Sequence, residues 1–277
     1  MTDSWLLKVD RAEKHLQEFD REVALYIDKR AYRAVRTIRP KCKEHGGCWR
    51  YHLEVTEQLD ENVSVILGDV THNLRSALDH LAVAIGPPRR KYKAFFPIIS
   101  KNIEYGFDVP TEEQLEARER FDRAVEGMPT NAVTIIQRAQ PYHLGPQSTH
   151  ETHLLGVLSR LDNADKHREL IVLASGLTNM RATFIARRRS LTQGSGPNQV
   201  VEHGAQVLHV TTDTLFPSIR DAEVQVQVRG TQQITVDVGL GRDDAFVAEG
   251  IRDLIAEMRA FFAVLDPFVR QAKPKGP

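Results

Sequence analysis

"LGDVTHNLRSALDHLA", residues 67 to 82, decides how the chain is read. At roughly 100° per residue, Ile66, Val70, Leu74, Ala77, Leu78, Leu81 and Ile85 fall on one continuous arc. Asp69, His72, Asn73, Arg75, Ser76, Asp79 and His80 fall on the other. The spacing predicts an amphipathic helix from about Asn62 to Ile85, stopped by "GPP" at 86–88. A solvated helix face is usually rich in Lys and Glu, and neither occurs between residues 64 and 85. Asp, Asn, Ser and His are mediocre helix formers, so something other than propensity selects them. Asp69, His72, Asn73, Ser76 and His80 follow one line at helical spacing, and Arg75 and Asp79 have the i, i+4 separation of an ion pair.

A second stretch poses the same problem from the other side. "HLLGVLSRLDNADKHRELIVL", residues 153–173, predicts a helix over 151–174 with Leu154, Val157, Leu158, Leu161, Ala164, Ile171 and Val172 on its apolar arc. Asp165 falls near the centre of that arc, with Asp162 and Arg168 at its edges. Charges that point toward a core must be paired, because an isolated buried charge costs several kcal/mol. The economical expectation is that the two polar faces meet. Asp69, His72, Asn73, Arg75, Asp162, Asp165 and Arg168 would then form one semi-buried network, with Asp79 and His167 beside it. The plain alternative is that such a network only fixes helix register.

Around this pair the pattern changes period. Residues 4–30 predict an amphipathic helix through Leu6, Val9, Ala12, Leu16, Phe19, Val23 and Tyr26. Residues 32–57 alternate apolar and polar on both sides of "KCKEHGG", the signature of a β-hairpin. Residues 111–127 and 129–139 predict two shorter helices. Residues 178–239 turn to β in "MRATFIA", "AQVLHVT", "AEVQVQVRG" and "QQITVDVG", the last two read as a hairpin around Gly230. "RRRSLTQGSGPNQ" reads as a flexible connection, its Arg187–Arg189 run a solvated turn. A closing helix over 242–269, from Phe246 to Leu265, ends at Pro267. The expected fold class is α+β: a mainly helical bundle with an N-terminal β-hairpin and an antiparallel β excursion in the C-terminal half. It is read as one domain over 1–277, with a helical core at 62–175 and a β subdomain at 178–239.

Bulk composition narrows the partners. The chain has 277 residues, 41 % hydrophobic and 27 % charged, with 37 basic and 37 acidic residues. No net field recruits nucleic acid or an anionic membrane. The N-terminus lacks the apolar run of a signal peptide, and no run approaches the ~18 apolar residues of a membrane span, so a cytoplasmic protein without membrane partners is expected. The two cysteines, Cys42 and Cys48, flank His45 at the hairpin tip; a Cys-His-Cys half-site lacks a fourth ligand nearby, and a reduced, incidental pair is the better reading. "HETH" at 150–153 is one residue short of the zinc motif that sets two histidines one turn apart, and His143 stands alone upstream. No metal and no cofactor are expected.

The order of these motifs resembles a family of bacterial proteins of unassigned activity. It carries a "GD-x-x-HNLRSALDHL" helix, an "FPI" segment, a "QPY" loop and a "DN-x-DKHR" helix. Here these are Gly68-Asp69 with His72 to Leu81, Phe96-Pro97-Ile98, Gln140-Pro141-Tyr142, and Asp162 to Arg168. The likeness covers roughly residues 4–175 and implies no activity. Cys42 and Cys48 lie outside its pattern.

A looser resemblance, Arg75 to His80, is to the R-x4-6-H signature of HEPN-type helical domains, many of them metal-independent endoribonucleases that work as dimers. That resemblance implies a homodimer acting on RNA, with Arg75 holding the scissile phosphate and His80 moving the proton of the attacking 2′-hydroxyl. In a regular helix the two side chains diverge by roughly 140°, so the second protomer would have to bring them together. Three readings follow, and whether the chain is an enzyme stays open at this point. The first is a binding or regulatory module that holds a small polar ligand on the network. The second is the HEPN-like ribonuclease, of toxin or defence type. The third is a metalloprotein built on Asp69, His72, Asp162, Asp165 and His167, a mixed oxygen and imidazole set.

Overall fold

The structure is a computed structural model that describes residues 3–37, 48–90, 94–104, 106, 109–143, 153–167, 171–186, 189–196, 199, 201–211, 224–237, 246–247 and 250–272. The fold is α+β, with six helices and antiparallel sheets among the described residues. The chain divides into two compact units. One holds residues 1–20, 62–171 and 237–277; the other holds 21–61 and 172–236.

The first unit is helical: α1 (Ser4–Asp28, through Asp20), α2 (Asn62–Ile85), α3 (Glu112–Val125), α4 (Thr130–Arg138), α5 (Leu154–His167) and α6 (Gly250–Ala272). Helix α2 has the bounds its periodicity predicts and lies at the centre, packed on α5 and α6. Its arc Val63, Ile66, Leu67, Val70, Leu74, Ala77, Leu78, Leu81, Ala82 and Ile85 is buried. At roughly 1.5–3 kcal/mol per large apolar side chain, that burial fixes α2 against its neighbours. Helix α3 begins with a capping box: Thr111 Oγ1 accepts from the Gln114 amide, and Gln114 Oε1 accepts from the Thr111 amide. Helices α1 and α6 are laced by Arg259 to Glu13 and Asp10 (2.5 and 2.9 Å) and by Arg252 to Asp20 (2.6 and 3.1 Å). These pairs are open to solvent, so each is worth about 1 kcal/mol or less.

The second unit contains β1 (Tyr32–Thr37), β2 (Cys48–Val55), β3 (Ile171–Ala186, from Val172), β4 (Arg189–Gly194), β5 (Val201–Glu202), β6 (Gln206–Thr211) and β7 (Val224–Asp237, through Val236); a short strand, β8 (Phe246–Val247), precedes α6 in the first unit. The hairpin is present: β1 pairs β2 antiparallel from Tyr32–Val55 to Thr37–Arg50. The late segment supplies a third strand, because β2 pairs β6 as well. The other sheet joins β4, β3 and β7, and β5 pairs β3. Tyr51, Leu53, Val207, Leu208 and Val210 from the first sheet share one apolar core with Leu177, Met180, Ala182, Phe184 and Ala186 from the second.

The structure departs from four sequence expectations. Helix α5 ends at His167, and Ile171 and Val172 begin β3 instead of extending the helix; β-branched residues favour a pleated, half-buried strand. "RSLTQG" is no loose connection but β4, paired with β3 from Ala186–Arg189 to Arg181–Gly194; Arg187 and Arg188 lie outside the described residues. No hairpin forms at Gly230, because β7 runs straight through it. A Cβ there would stand 3.1 Å from the Thr178 carbonyl oxygen and 3.1 Å from Leu177 Cβ, so the glycine serves a close strand approach rather than a turn. The last helix starts at Gly250, Phe246 falls in β8, and Pro267 sits inside α6. The helix continues past it because Val269, 1 % exposed, extends the buried arc of Leu265. Cys42, His45, His150 and Arg168 lie outside the described residues.

Candidate functional site

The polar face of α2 does two different things along its length. Near its C-terminal half, Arg75 Nη2 donates to Asp79 Oδ1 (3.1 Å) and to the carbonyl of Phe96 (2.9 Å). The Phe96 amide in turn donates to Asp79 Oδ1 at 2.9 Å. Arginine and aspartate thus grip both backbone groups of one residue, as a neighbouring strand would. Gln140, fully buried, continues the grip: its Oε1 accepts from the Ile99 amide (2.8 Å), and its Nε2 donates to the carbonyls of Pro97 (3.2 Å) and Ile136 (2.8 Å). Phe96 is 1 % exposed and meets Phe261 edge to face, ring centres 5.8 Å apart. Three of the sequence motifs, around Arg75, Phe96 and Gln140, are therefore one structural clamp that fastens residues 96–99.

Beside Gln140, the Tyr142 phenol is pushed up to about 12 by burial and then by the Glu104 carboxylate, and stays protonated at neutral pH. His143 stacks against Tyr142 and stands 3.3 Å from Glu104.

The N-terminal half of the face meets α5. A Cβ on Gly68 would overlap the Asp165 carboxylate, so a glycine in mid-helix, which costs about 1 kcal/mol against alanine, lets that carboxylate lie against α2. Thr71 Oγ1 donates to the Gly68 carbonyl at 2.9 Å. Burial raises the Asp165 carboxyl above its ordinary 3.8; the Asp162 and Asp69 carboxylates raise it further, and His72 and Lys166 pull it down. Those five residues form one electrostatic group. The residue as a whole is exposed, as are Asp69 and His72; the packing that dehydrates Asp165 is confined to the carboxylate edge over Gly68.

Asp162 is the deep member of the group. It is 4 % exposed, its Oδ2 accepts from Lys166 Nζ at 2.6 Å, and its Oδ1 is covered without a hydrogen-bond partner. Sequence periodicity places Asp165 toward the core and Asp162 at the edge; the structure reverses their depths, because Gly68 gives Asp165 a shelf at the surface.

The remaining residues divide between the two halves. Asn73 is buried and does not bridge the helices: its Nδ2 donates to the Asp69 carbonyl (2.7 Å), and Lys8 Nζ of α1 reaches its Oδ1 (3.5 Å). Arg75 and Asp79 belong to the clamp. His80 is half-buried further along α2, and His167 closes α5. Lys166 is the member that sequence reading omitted, although its i, i+4 spacing from Asp162 is visible in "DNADK".

In comparisons with models of known families, with curated proteins and with solved structures, the chain matches none. Among the described residues no helix is long and apolar enough to cross a membrane, and no group of three His, Cys, Asp or Glu is placed to hold a metal ion.

Proposed function

We propose that this protein is a non-catalytic binding or regulatory module whose small polar ligand sits on the α2–α5 group of Asp69, His72, Asp162 and Asp165. One observation carries the reading: a buried aspartate, Asp162, keeps one carboxylate oxygen without a partner beside a second carboxylate that its own charge disturbs. A protein that needed only to pack these helices would gain by replacing such a half-paired charge with an apolar residue. In the clamp the carboxylate of Asp79 meets an opposite charge, Arg75, and the Phe96 amide on its Oδ1, and the buried atom left over is a guanidinium nitrogen, Arg75 Nη1, rather than a carboxylate oxygen.

The ribonuclease reading assigns Arg75 to a phosphate. The guanidinium is committed to Asp79 and Phe96, and its Nη1 is buried and unpartnered, so a phosphate reaches it only if residues 96–99 move. The metalloprotein reading lacks a third ligand placed with the others among the described residues.

The test is a thermal-shift panel of cationic, anionic and neutral small molecules on the full chain and on Asp165→Ala, alongside incubation with total RNA in EDTA. A ligand that raises Tm of the wild-type chain and leaves the variant unmoved supports the module. A panel without effect overturns it, and RNA cleavage that disappears in His80→Ala replaces it with the endoribonuclease.

A further inference from the structure

We infer that, independently of the α2–α5 reading, the outer face of the β4–β3–β7 sheet in the second unit docks the phosphate backbone of a single-stranded nucleic acid. Register defines the face: β3 and β4 set Arg181 opposite Gly194, Thr183 opposite Thr192 and Ile185 opposite Ser190. The Thr183 and Thr192 hydroxyls lie 3.0 Å apart, while Ala182, Phe184 and Ala186 turn the other way into the core. On β7, Val226 and Val228 pack against that core, so Gln225, Gln227 and Arg229 alternate onto the outer face. All three are exposed, as are Arg181 and Thr192.

Two arginines without acidic partners meet on this face. A Cβ on Gly230 would stand 3.3 Å from Met180 Cα, so their chain neighbours Arg229 and Arg181 lie close together on adjacent strands. Neither guanidinium has an ion-pair partner among the described residues. Like charges side by side destabilise a sheet, and elsewhere the chain answers its arginines. Arg33 stands opposite Glu54 in register and bonds to it, and Arg252 and Arg259 of α6 pair with carboxylates of α1. Residues 170–201, by contrast, contain four arginines and no Asp, Glu or Lys. Glu202 is paired onto β3 opposite Gly176, on the far side of the left-handed Asn179 from Arg181. Gly194 sets no side chain opposite Arg181, so β4 leaves it uncovered on that flank.

A positive face rich in neutral hydrogen-bonding groups fits a chain of phosphates. Arginine holds a phosphate through paired N–H donors, and threonine and glutamine donate to phosphate and sugar oxygens. Three strands at a spacing of about 4.8 Å make a face roughly 10 Å across, which one nucleic-acid strand covers. No aromatic ring stands among these outward residues, so bases do not stack on them. Contact is then through phosphate, without sequence preference and with strong salt dependence. A lipid surface fits less well, because interfacial binding needs buried apolar area as well as charge. None of the large apolar side chains exposed on this chain lies on this face. The zero net charge of the whole chain conceals the patch, because it averages these strands with every other element.

The experiment follows binding of the full chain to a fluorescent oligothymidylate, which a ribonuclease leaves intact, by anisotropy across a salt series. Saturable binding at low salt is expected, weakening steeply as salt rises. Arg181→Gln combined with Arg229→Gln should lower the low-salt affinity about tenfold or more and flatten the logarithmic salt slope by about 1.4, the share of two phosphate contacts on a single strand. Gln227→Glu, one change at an exposed position, should weaken binding too, so the test survives a double variant that folds poorly. Arg33→Gln removes an arginine already paired on the other sheet and should leave affinity within about twofold. Absence of saturable binding by the wild-type chain, an unchanged salt slope in the double variant, or an equal loss in Arg33→Gln each overturns the inference. Anionic vesicles or polyglutamate bound in place of oligothymidylate overturn it as well, and give the face to a lipid or an acidic protein.

Discussion

Two polar clusters share helix α2, and they are built on opposite terms. Around Arg75 and Asp79 the hydrogen bonds close on the protein itself: the amide and carbonyl of Phe96 are both taken, and Gln140 takes Pro97 and Ile99. Around Gly68, among the described residues, three carboxylates share Lys166 and His72, and a buried oxygen of Asp162 is left over. The residue types are alike, and each cluster keeps one buried polar atom over, Arg75 Nη1 in the first and Asp162 Oδ1 in the second; what separates them is that the first pairs one cation with one carboxylate and fastens a backbone segment, whereas the second gathers carboxylates. A polar helix face whose bonds end on its own backbone is explained by the fold. The half-paired buried carboxylate of Asp162 is where the proposed ligand reading rests.

The largest expected effect tests the clamp. Gln140→Leu strips partners from the Ile99 amide and the Pro97 carbonyl, at about 1–3 kcal/mol for each buried group left unpaired. A loss of roughly 3 kcal/mol in urea denaturation is expected, and a loss below about 1 kcal/mol would break the contrast. Arg75→Met comes next, at roughly 2 kcal/mol, because it orphans the Phe96 carbonyl while the Asp79–Phe96 amide bond survives. Gly68→Ala pushes the Asp165 carboxylate off its shelf and should cost about 1–3 kcal/mol as an overpacked contact, with ligand binding lost as well. Asp162→Asn is expected to change stability by less than about 1 kcal/mol, in either direction, since it removes a half-paired buried charge. A large destabilisation by this variant would show that the Asp162 charge is part of the packing.

The smallest effect is in pH. The Asp165 carboxyl is raised in the folded chain, so the folded state holds that proton more tightly than the unfolded one. Its contribution to stability is fully present below the ordinary 3.8 and is lost as pH rises through the raised value. Denaturation midpoints of the wild-type chain should therefore fall over that window relative to Asp165→Asn. A difference that does not vary there would remove Asp165 from the group.

Much of the helical unit is legible in the sequence, for a local reason. The burial pattern of α2 repeats within a few residues, and "GPP" marks its end, so Asn62–Ile85 needs no knowledge of what packs on it. The Arg75–Asp79 pair is visible in spacing as well, whereas its target is not: a backbone amide and carbonyl carry no residue signature, and Phe96 gives no hint that it will be held there. Gly230 misleads for a related reason. A turn and a close strand approach both select glycine, and only the presence of Leu177 and Thr178 beside it distinguishes them. Gly68 is the same case on a helix, where an isolated glycine signals that something comes near without saying what.

Sequence alone determines where α2 lies, which of its faces is apolar, and that its polar face is too poor in Lys and Glu to be plain surface. Helix periodicity and side-chain propensity are properties of neighbouring residues, so one chain segment contains them. Tertiary structure decides which of those polar residues are satisfied. Asp79 is answered by a segment seventeen residues away in the chain, while Asp162 keeps an open oxygen within one helix of Asp69 and Asp165. Whether a charge is paired depends on the three-dimensional neighbours that dehydrate it and donate to it, and those are fixed only when α5 settles against Gly68.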